Sequence, residues 1–296
     1  MSILIDETTK ILILGITGRE AVSITRDTLD YGGNIVAGVT PGKGGRFVHG
    51  VPVYNSVSDA QKQHPINAAI ICVPVSAAKT ATFECINAGI PLILIVTERI
   101  PQLITAQIVE YGKLKGSTII GPNSMGLISP EKGKLGGIGG PAKDTKRTFQ
   151  TGDIGIMSRS GGMTTEIANF LRLNGKGIST AISIGGDPII GSTFADLLPA
   201  FEKDPETKAI VTFSEPGGGI EEELAEIVQR TQSRIKIVSF IAGNFMSEMP
   251  GIRFGHAGSL IRTHSDSVEA KTAVLQKAGI QVAKQLSDIP KHLKSN

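Results

Sequence analysis

Short apolar runs, each closed by a glycine or proline turn and followed by a longer helix-like stretch, recur along the whole chain, and this alternation most narrows what it can fold into. In the first part the runs are Ile11 to Leu14, Ile35 to Val39, Ala68 to Val73, Leu92 to Val96 and Thr118 to Ile120. A strand with one wet face alternates apolar and polar residues, whereas continuous runs of this length suit strands buried on both faces. Such strands, separated by helices, pair through right-handed crossovers into a parallel sheet. The expectation for the first part is a doubly wound α/β domain, Rossmann-like in kind.

From Gly126 to Gly152 the chain turns rich in Gly, Pro and Lys, which reads as a connection rather than a packed element. The rhythm then resumes with Ile154 to Met157, Ser179 to Ile184, Ala209 to Phe213, Ile235 to Ile241 and Ile280 to Val282. Helices are expected to open near Met163, Thr193, Ile220 and Ser267. The resulting division is a first domain over residues 1–128, a connecting segment over 129–152 and a second, flavodoxin-like α/β domain over 153–296. A chain of 296 residues is long enough for two cores.

Charge and cysteine use exclude several classes. A net charge of +3, spread evenly, is too mild to make nucleic acid the main partner, and small anions suit it better. Cys72 and Cys85 form no CxxC pair, so neither a disulfide framework nor a zinc site is indicated, and both are expected as buried thiols. No apolar run reaches the ~18 residues that span a bilayer, and the N-terminal MSILIDETTK has neither a cationic leader nor a cleavage site. A cytoplasmic protein without membrane contact is expected.

Three stretches carry chemistry. The first strand runs into GITGREAV, where Gly15, Thr17 and Gly18 turn the chain into a helix whose N–H groups can face a phosphate. Thr17 stands where a full GxGxxG would have glycine, so the fingerprint is partial. A dinucleotide fold that holds NAD places Asp or Glu after its second strand. Here TPGKGG puts Lys43 there, which opposes an NAD oxidoreductase and suits the ribose phosphate of a nucleotide such as coenzyme A. The second stretch, SRSGGMTTEI, follows a strand and opens a helix, so Ser158, Ser160, Gly161 and Gly162 are candidates for holding a phosphate. It is not a GxSxG elbow, and no phosphate loop ends in GK followed by Ser or Thr, which disfavours esterase and P-loop readings. The third is GIRFGHAGSL, which sets His256 among glycines that permit unusual backbone geometry. His256 and His264 lack the carboxylate pattern of a zinc site.

Taken in order, SILID, GITG, VTPGKGG, CVPV, GPNS, SRSGG, IGGDPIIGSTF, FEKDPET, SEPGG and GHAG resemble the α subunit of succinyl-CoA synthetase and its relatives among the NDP-forming acyl-CoA ligases, over nearly the whole chain. That resemblance implies a first domain that binds coenzyme A through Thr17, Gly18, Arg19, Glu20 and Lys43. Val73, Pro74, Val75, Val96, Thr97 and Glu98, at strand ends, match positions beside the pantetheine arm. It makes His256 the residue that carries a phosphoryl group and Glu215 the carboxylate that orients it, with Gly255 and Gly258 freeing the loop. It assigns Thr165 and Asn123 to the carboxylate substrate. ATP or GTP with Mg2+ would bind a separate ATP-grasp β subunit, in an αβ or α2β2 assembly, and no metal site is implied in this chain.

The implied reaction joins a small carboxylate to CoA, with succinate as the default and citryl-CoA or malyl-CoA synthesis as alternatives. A non-catalytic CoA-binding regulator would not need the pair His256 and Glu215. Departures from the family pattern bear on the acid: Thr165 replaces the Tyr common before Glu166, Ser124 replaces a cysteine, Pro216 follows Glu215, and Arg253 with Phe254 precedes the histidine.

Overall fold

The computed structural model describes residues 3–233, 235–248, 255, 256, 258–261 and 263–293; Arg253 and Phe254 lie outside them. The first unit runs β1 (Lys10–Leu14), α1 (Arg19–Tyr31), β2 (Asn34–Val39), β3 (Phe47–Val48), β4 (Val51–Tyr54), α2 (Val57–Gln63) and β5 (Ala68–Ile71). It continues with α3 (Val75–Asn87), β6 (Leu92–Ile95), α4 (Gln102–Lys115) and β7 (Thr118–Ile120). The strand order is β3-β4-β2-β1-β5-β6-β7, parallel except where β3 meets β4. Without β3 this is the Rossmann order, and it reverses direction between β1 and β5.

The second unit holds β8 (Gly126–Ser129), β9 (Gly133–Leu135), α5 (Ala142–Thr148), β10 (Thr151–Ser158), α6 (Gly161–Leu173) and β11 (Ile178–Ser183). After these come α7 (Phe194–Lys203), β12 (Ala209–Ser214), α8 (Ile220–Thr231), β13 (Lys236–Ile241), α9 (Val268–Lys277), β14 (Gln281–Ala283) and α10 (Ile289–His292). Its order, β14-β13-β12-β10-β11-β8-β9, contains the five-stranded parallel arrangement of a flavodoxin-like sheet, reversing between β10 and β12.

All ten apolar runs read from the sequence are strands, and the four expected helix starts fall at α6, α7, α8 and α9. The stretch expected to connect the domains is a correction. Residues 129–152 are not free of packed elements: β8 pairs antiparallel with β11, β9 pairs with β8, and α5 follows. Glycines close these short strands, which hid their apolar members Leu127, Ile128 and Leu135, all fully buried. The hairpin of β3 and β4 was also not anticipated; His49 and Gly50 turn it at positive φ, 49° and 82°, as a tight primed turn requires.

Both faces of each sheet are buried, which is why the runs are continuous. Ile11 and Ile13 point into one core cluster while Leu12 and Leu14 point into another. The first of these clusters crosses from unit to unit, since Leu94 and Ile120 share it with Leu127, Ile184 and Phe194. Backbone bonds close the seam: Gly121 N–H donates to Ile184 O at 3.2 Å and Gly191 N–H to Gly121 O at 2.8 Å. The carboxyl ends of β7 and β11 thereby meet.

Candidate functional site

The first switch point forms a cleft of about 320 Å3 lined by Gly18, Arg19, Glu20, Cys72, Val73, Pro74, Val75, Thr97 and Glu98 among others. It stands at the carboxyl ends of β1, β5 and β6. The turn after β1 demands glycine: Gly15 has φ +79°, and a Cβ there would lie 2.2 Å from the Cys72 carbonyl oxygen. Gly18 caps α1 with no side-chain bond, so the first-turn N–H groups of this helix stay open for an anion. Thr17 and Lys43 stand together beyond the turn, with Lys43 Nζ donating to Thr17 Oγ1 at 3.0 Å and Thr17 Oγ1 to Thr40 Oγ1 at 3.2 Å. A nucleotide phosphate fits these donors, and no carboxylate follows β2 to oppose it. Burial, reinforced by Glu20, pushes the Cys72 thiol up to about 12, so it is no nucleophile in this cleft.

Of the sequence-predicted members, Val96 does not belong to the cleft. It is 9% exposed, packs in the core, and gives its N–H to Ile71 O. An apolar residue at the end of a central strand has that fate whenever the strand is covered on both faces.

The second switch point holds the chemistry-bearing pair. Glu215 follows the last residue of β12, and its Oε2 lies 2.8 Å from His256 Nδ1. Both side chains are largely buried, 19% and 27% exposed. With the carboxylate ionised, Nδ1 is the protonated nitrogen and donates, which leaves the Nε2 lone pair free. The bond to Glu215 raises the His256 pKa above 6.5; burial and Arg159 act against that rise. Gly186, beyond β11, carries the ring, because a Cβ there would stand 2.3 Å from His256 Cδ2. Gly255 has φ +71°, the left-handed geometry expected of the loop glycines.

α6 begins beside this pair at the end of β10. Ser160 caps it, its Oγ accepting from Met163 N–H at 3.3 Å, while Thr164 N–H reaches Ser160 O. The first-turn N–H groups of Gly161 and Gly162 remain to meet an anion. Ser158 departs from its expected role: its fully buried hydroxyl donates to Ser160 O at 2.8 Å and accepts from Ser160 N–H at 3.1 Å. It shapes the turn and has no hydroxyl to spare. Thr165, one turn into α6, donates to Gly161 O at 3.4 Å and is half-buried.

Asn123 joins the two clefts. Its N–H donates to Thr97 O at 3.1 Å, its carbonyl accepts from Gly186 N–H at 3.3 Å, and its Nδ2 donates to Asp187 Oδ1 at 3.0 Å. Its side chain is thus engaged with Asp187, whose carboxyl is raised by burial and lowered in smaller measure by that bond. Asp187, Gly186 and Arg159 are the site members that sequence reasoning did not single out. The available signals were an Asp directly after a strand-ending Gly-Gly, and an Arg between the serines of SRSGG. Among the described residues no cluster of His, Cys, Asp and Glu could hold a metal ion.

Two doubly wound sheets whose switch points are linked through Asn123, one with open helix N–H groups and one holding a carboxylate-bound histidine, define a two-domain α/β protein of the nucleotide-binding, group-transfer kind. The profile of the CoA binding domain matches residues 6–99, and that of the CoA-ligase family matches residues 157–283. The chain is 42% identical to the succinate–CoA ligase [ADP-forming] subunit alpha 1 of Archaeoglobus fulgidus over 296 residues, 99% of this chain and 98% of that one. It is 39% identical to the ADP-forming sulfoacetate-CoA ligase subunit SqwL of an Acholeplasma species, over 96% of this chain and 94% of that one. The ATP citrate lyase of Methanosaeta concilii shares the fold, with a TM-score of 0.89 at 22% identity; the match covers 98% of this chain and 50% of the lyase chain. The chain belongs to the NDP-forming CoA ligase family, where it aligns end to end with succinate–CoA ligase α subunits.

Proposed function

We propose that this chain is the CoA-binding, phosphohistidine-carrying half of an acid–CoA ligase that converts a small carboxylate, CoA and a nucleoside triphosphate into acyl-CoA, nucleoside diphosphate and phosphate. The observation that carries this reading is the 2.8 Å bond between Glu215 and His256 Nδ1, at a switch point linked through Asn123 to the first cleft. His256 Nε2 takes the phosphoryl group from the nucleotide and passes it to the substrate carboxylate. Glu215 holds the tautomer and balances the charge on the ring. The thiol of CoA supplies the nucleophile that displaces phosphate from the acyl group. The Gly161 and Gly162 N–H groups receive phosphoryl oxygens at the α6 terminus. Nucleotide and Mg2+ fall to a β partner of ATP-grasp type, a reading supported by the alpha-subunit names of the relatives.

For coenzyme A, Lys43 answers the ribose phosphate. Lys43→Ala is expected to weaken CoA binding by roughly tenfold, the scale of one charge-assisted bond. Calorimetry with CoA and dephospho-CoA checks it: the wild type should prefer CoA and the variant should not.

Succinate is the leading acid, supported by the names of several relatives near 40% identity. A bulkier acid, such as citrate or malate, is favoured by one observation: small Thr165 and the open Gly162 stand at the α6 terminus. A screen of carboxylates for CoA-dependent phosphate release, with the β partner present, decides between them. Inactivity toward every dicarboxylate and sulfonated acid would remove the ligase reading.

A further inference from the structure

Arg159 directly follows β10 and is 3% exposed, a charge buried beside the histidine loop. Its Nη2 donates to the carbonyl oxygens of Gly186, at 3.3 Å, and Asp187, at 2.9 Å. The Gly186 carbonyl also accepts the Gly258 N–H at 3.2 Å, and a Cβ on Gly258 would come within 2.2 Å of Arg159 Nη2. Gly186 is the same residue that carries the imidazole, since a Cβ on it would stand 3.1 Å from His256 Nε2. The guanidinium thus holds the loop under the ring, through the same Gly186 carbonyl that accepts from the ring-bearing loop, and packs against Gly258 of that loop.

The charges around it are few. Glu221, Glu215 and Asp187 face Arg159, while Glu215, Arg159 and Asp187 face His256. Among the described residues Arg159 Nε has no hydrogen-bond partner, and neither has Glu221 Oε1, although Glu221 Oε2 accepts from Lys271 Nζ at 2.7 Å. A guanidinium left partly unpaired in the interior is costly to the fold by itself. Its retention beside the histidine therefore calls for a use.

We propose that Arg159 is a positioning residue for phosphoryl transfer: through the Gly186 and Asp187 carbonyls it sets where the imidazole rests, and it keeps a buried positive charge behind the glycine that Nε2 packs against. This rests on the phosphohistidine reading. The cation works against Glu215. Glu215 favours the imidazolium, and Arg159 disfavours it, so the two together hold the ring neutral at lower pH than the carboxylate alone would allow. Once the ring carries a dianionic phosphoryl group, the same cation stabilises that charge across a low-dielectric interior.

The test follows the rate of His256 labelling against pH, with the full chain, its β partner and labelled ATP. Arg159→Met and Arg159→Gln should each move the acid limb toward higher pH. Labelling at about pH 6, relative to each variant's own rate at about pH 8, should fall several-fold. Arg159→Lys keeps the charge and should leave the limb at its wild-type position. A folded Met or Gln variant with an unmoved limb overturns the proposal, since loss of structural support alone lowers the whole profile without displacing it. If neither uncharged variant folds, Arg159→Lys decides, because a displaced limb there is equally fatal. Failure of the underlying reading looks different: wild type itself would take no label on His256, and the proposal would fall with it.

Discussion

His256→Asn, assayed with the β partner and labelled nucleoside triphosphate, should show no phosphoryl label on this chain and a loss of ligase rate of about 10^4-fold or more. The substitution is chosen for what it keeps. Asn can still donate to Glu215 from its amide, so the carboxylate is not left buried and unpaired, and the fold is spared the cost of an orphaned charge. It has no equivalent of Nε2, and a nucleophile is the one thing removed. The side chain of His256 is 27% exposed, so the melting temperature should change little. Labelling of the variant at the wild-type level would refute the phosphoryl-carrier role while leaving the CoA cleft untouched.

Glu215→Gln should cost about 10^2- to 10^4-fold in the labelling rate and move its acid limb to lower pH. Two physical effects are separable here. The loss at the plateau arises because a neutral amide can donate to Nδ1 and leave the proton on Nε2, the wrong tautomer for attack. The displacement of the limb follows from the pKa shift. Glu215 raises the His256 pKa above 6.5, and attack needs the neutral ring, so wild-type activity falls as pH drops through that raised value. Without the carboxylate the ring stays neutral further into acid. Stability runs the other way. A raised native pKa contributes stability fully present below 6.5 and lost as pH rises through the native value, so the reactive form of the site is its less stabilised form. A plateau loss with an unmoved limb would mean that Glu215 orients the ring without tuning it.

Much of the architecture was legible because buried parallel strands leave an unbroken apolar signature. Leu92 to Ile95 and Ala68 to Ile71 could hardly be anything else, being covered on both faces. β8 and β9 escaped notice for the opposite reason. They are three or four residues long and set among glycines; β9 pairs only with β8, and β8 is held by β11, a partner about fifty residues away whose register no local pattern announces. The site was read in a similar way. Glu215, Lys43 and the α6 turn follow strand ends, where an open sheet gathers its ligands, whereas His256 lies in the long stretch between β13 and α9 and was legible only through the family resemblance; the structure brings it to Glu215. Val96 and Ser158 were assigned from the same neighbourhood, but facing direction decides their use, and direction depends on packing that the sequence does not display. Arg159 was missed because a buried cation bonded to main-chain carbonyls has no partner residue type to search for.

The three bonds of Asn123 have a kinematic consequence. Thr97 at the rim of one cleft and Gly186 under the imidazole in the other are fastened to a single residue, in a seam already closed by a shared core. The two clefts are therefore a fixed distance apart, and neither can swing to meet the other. Within this chain the seam works as a frame, and whatever one cleft holds stands at a set span from the imidazole in the other.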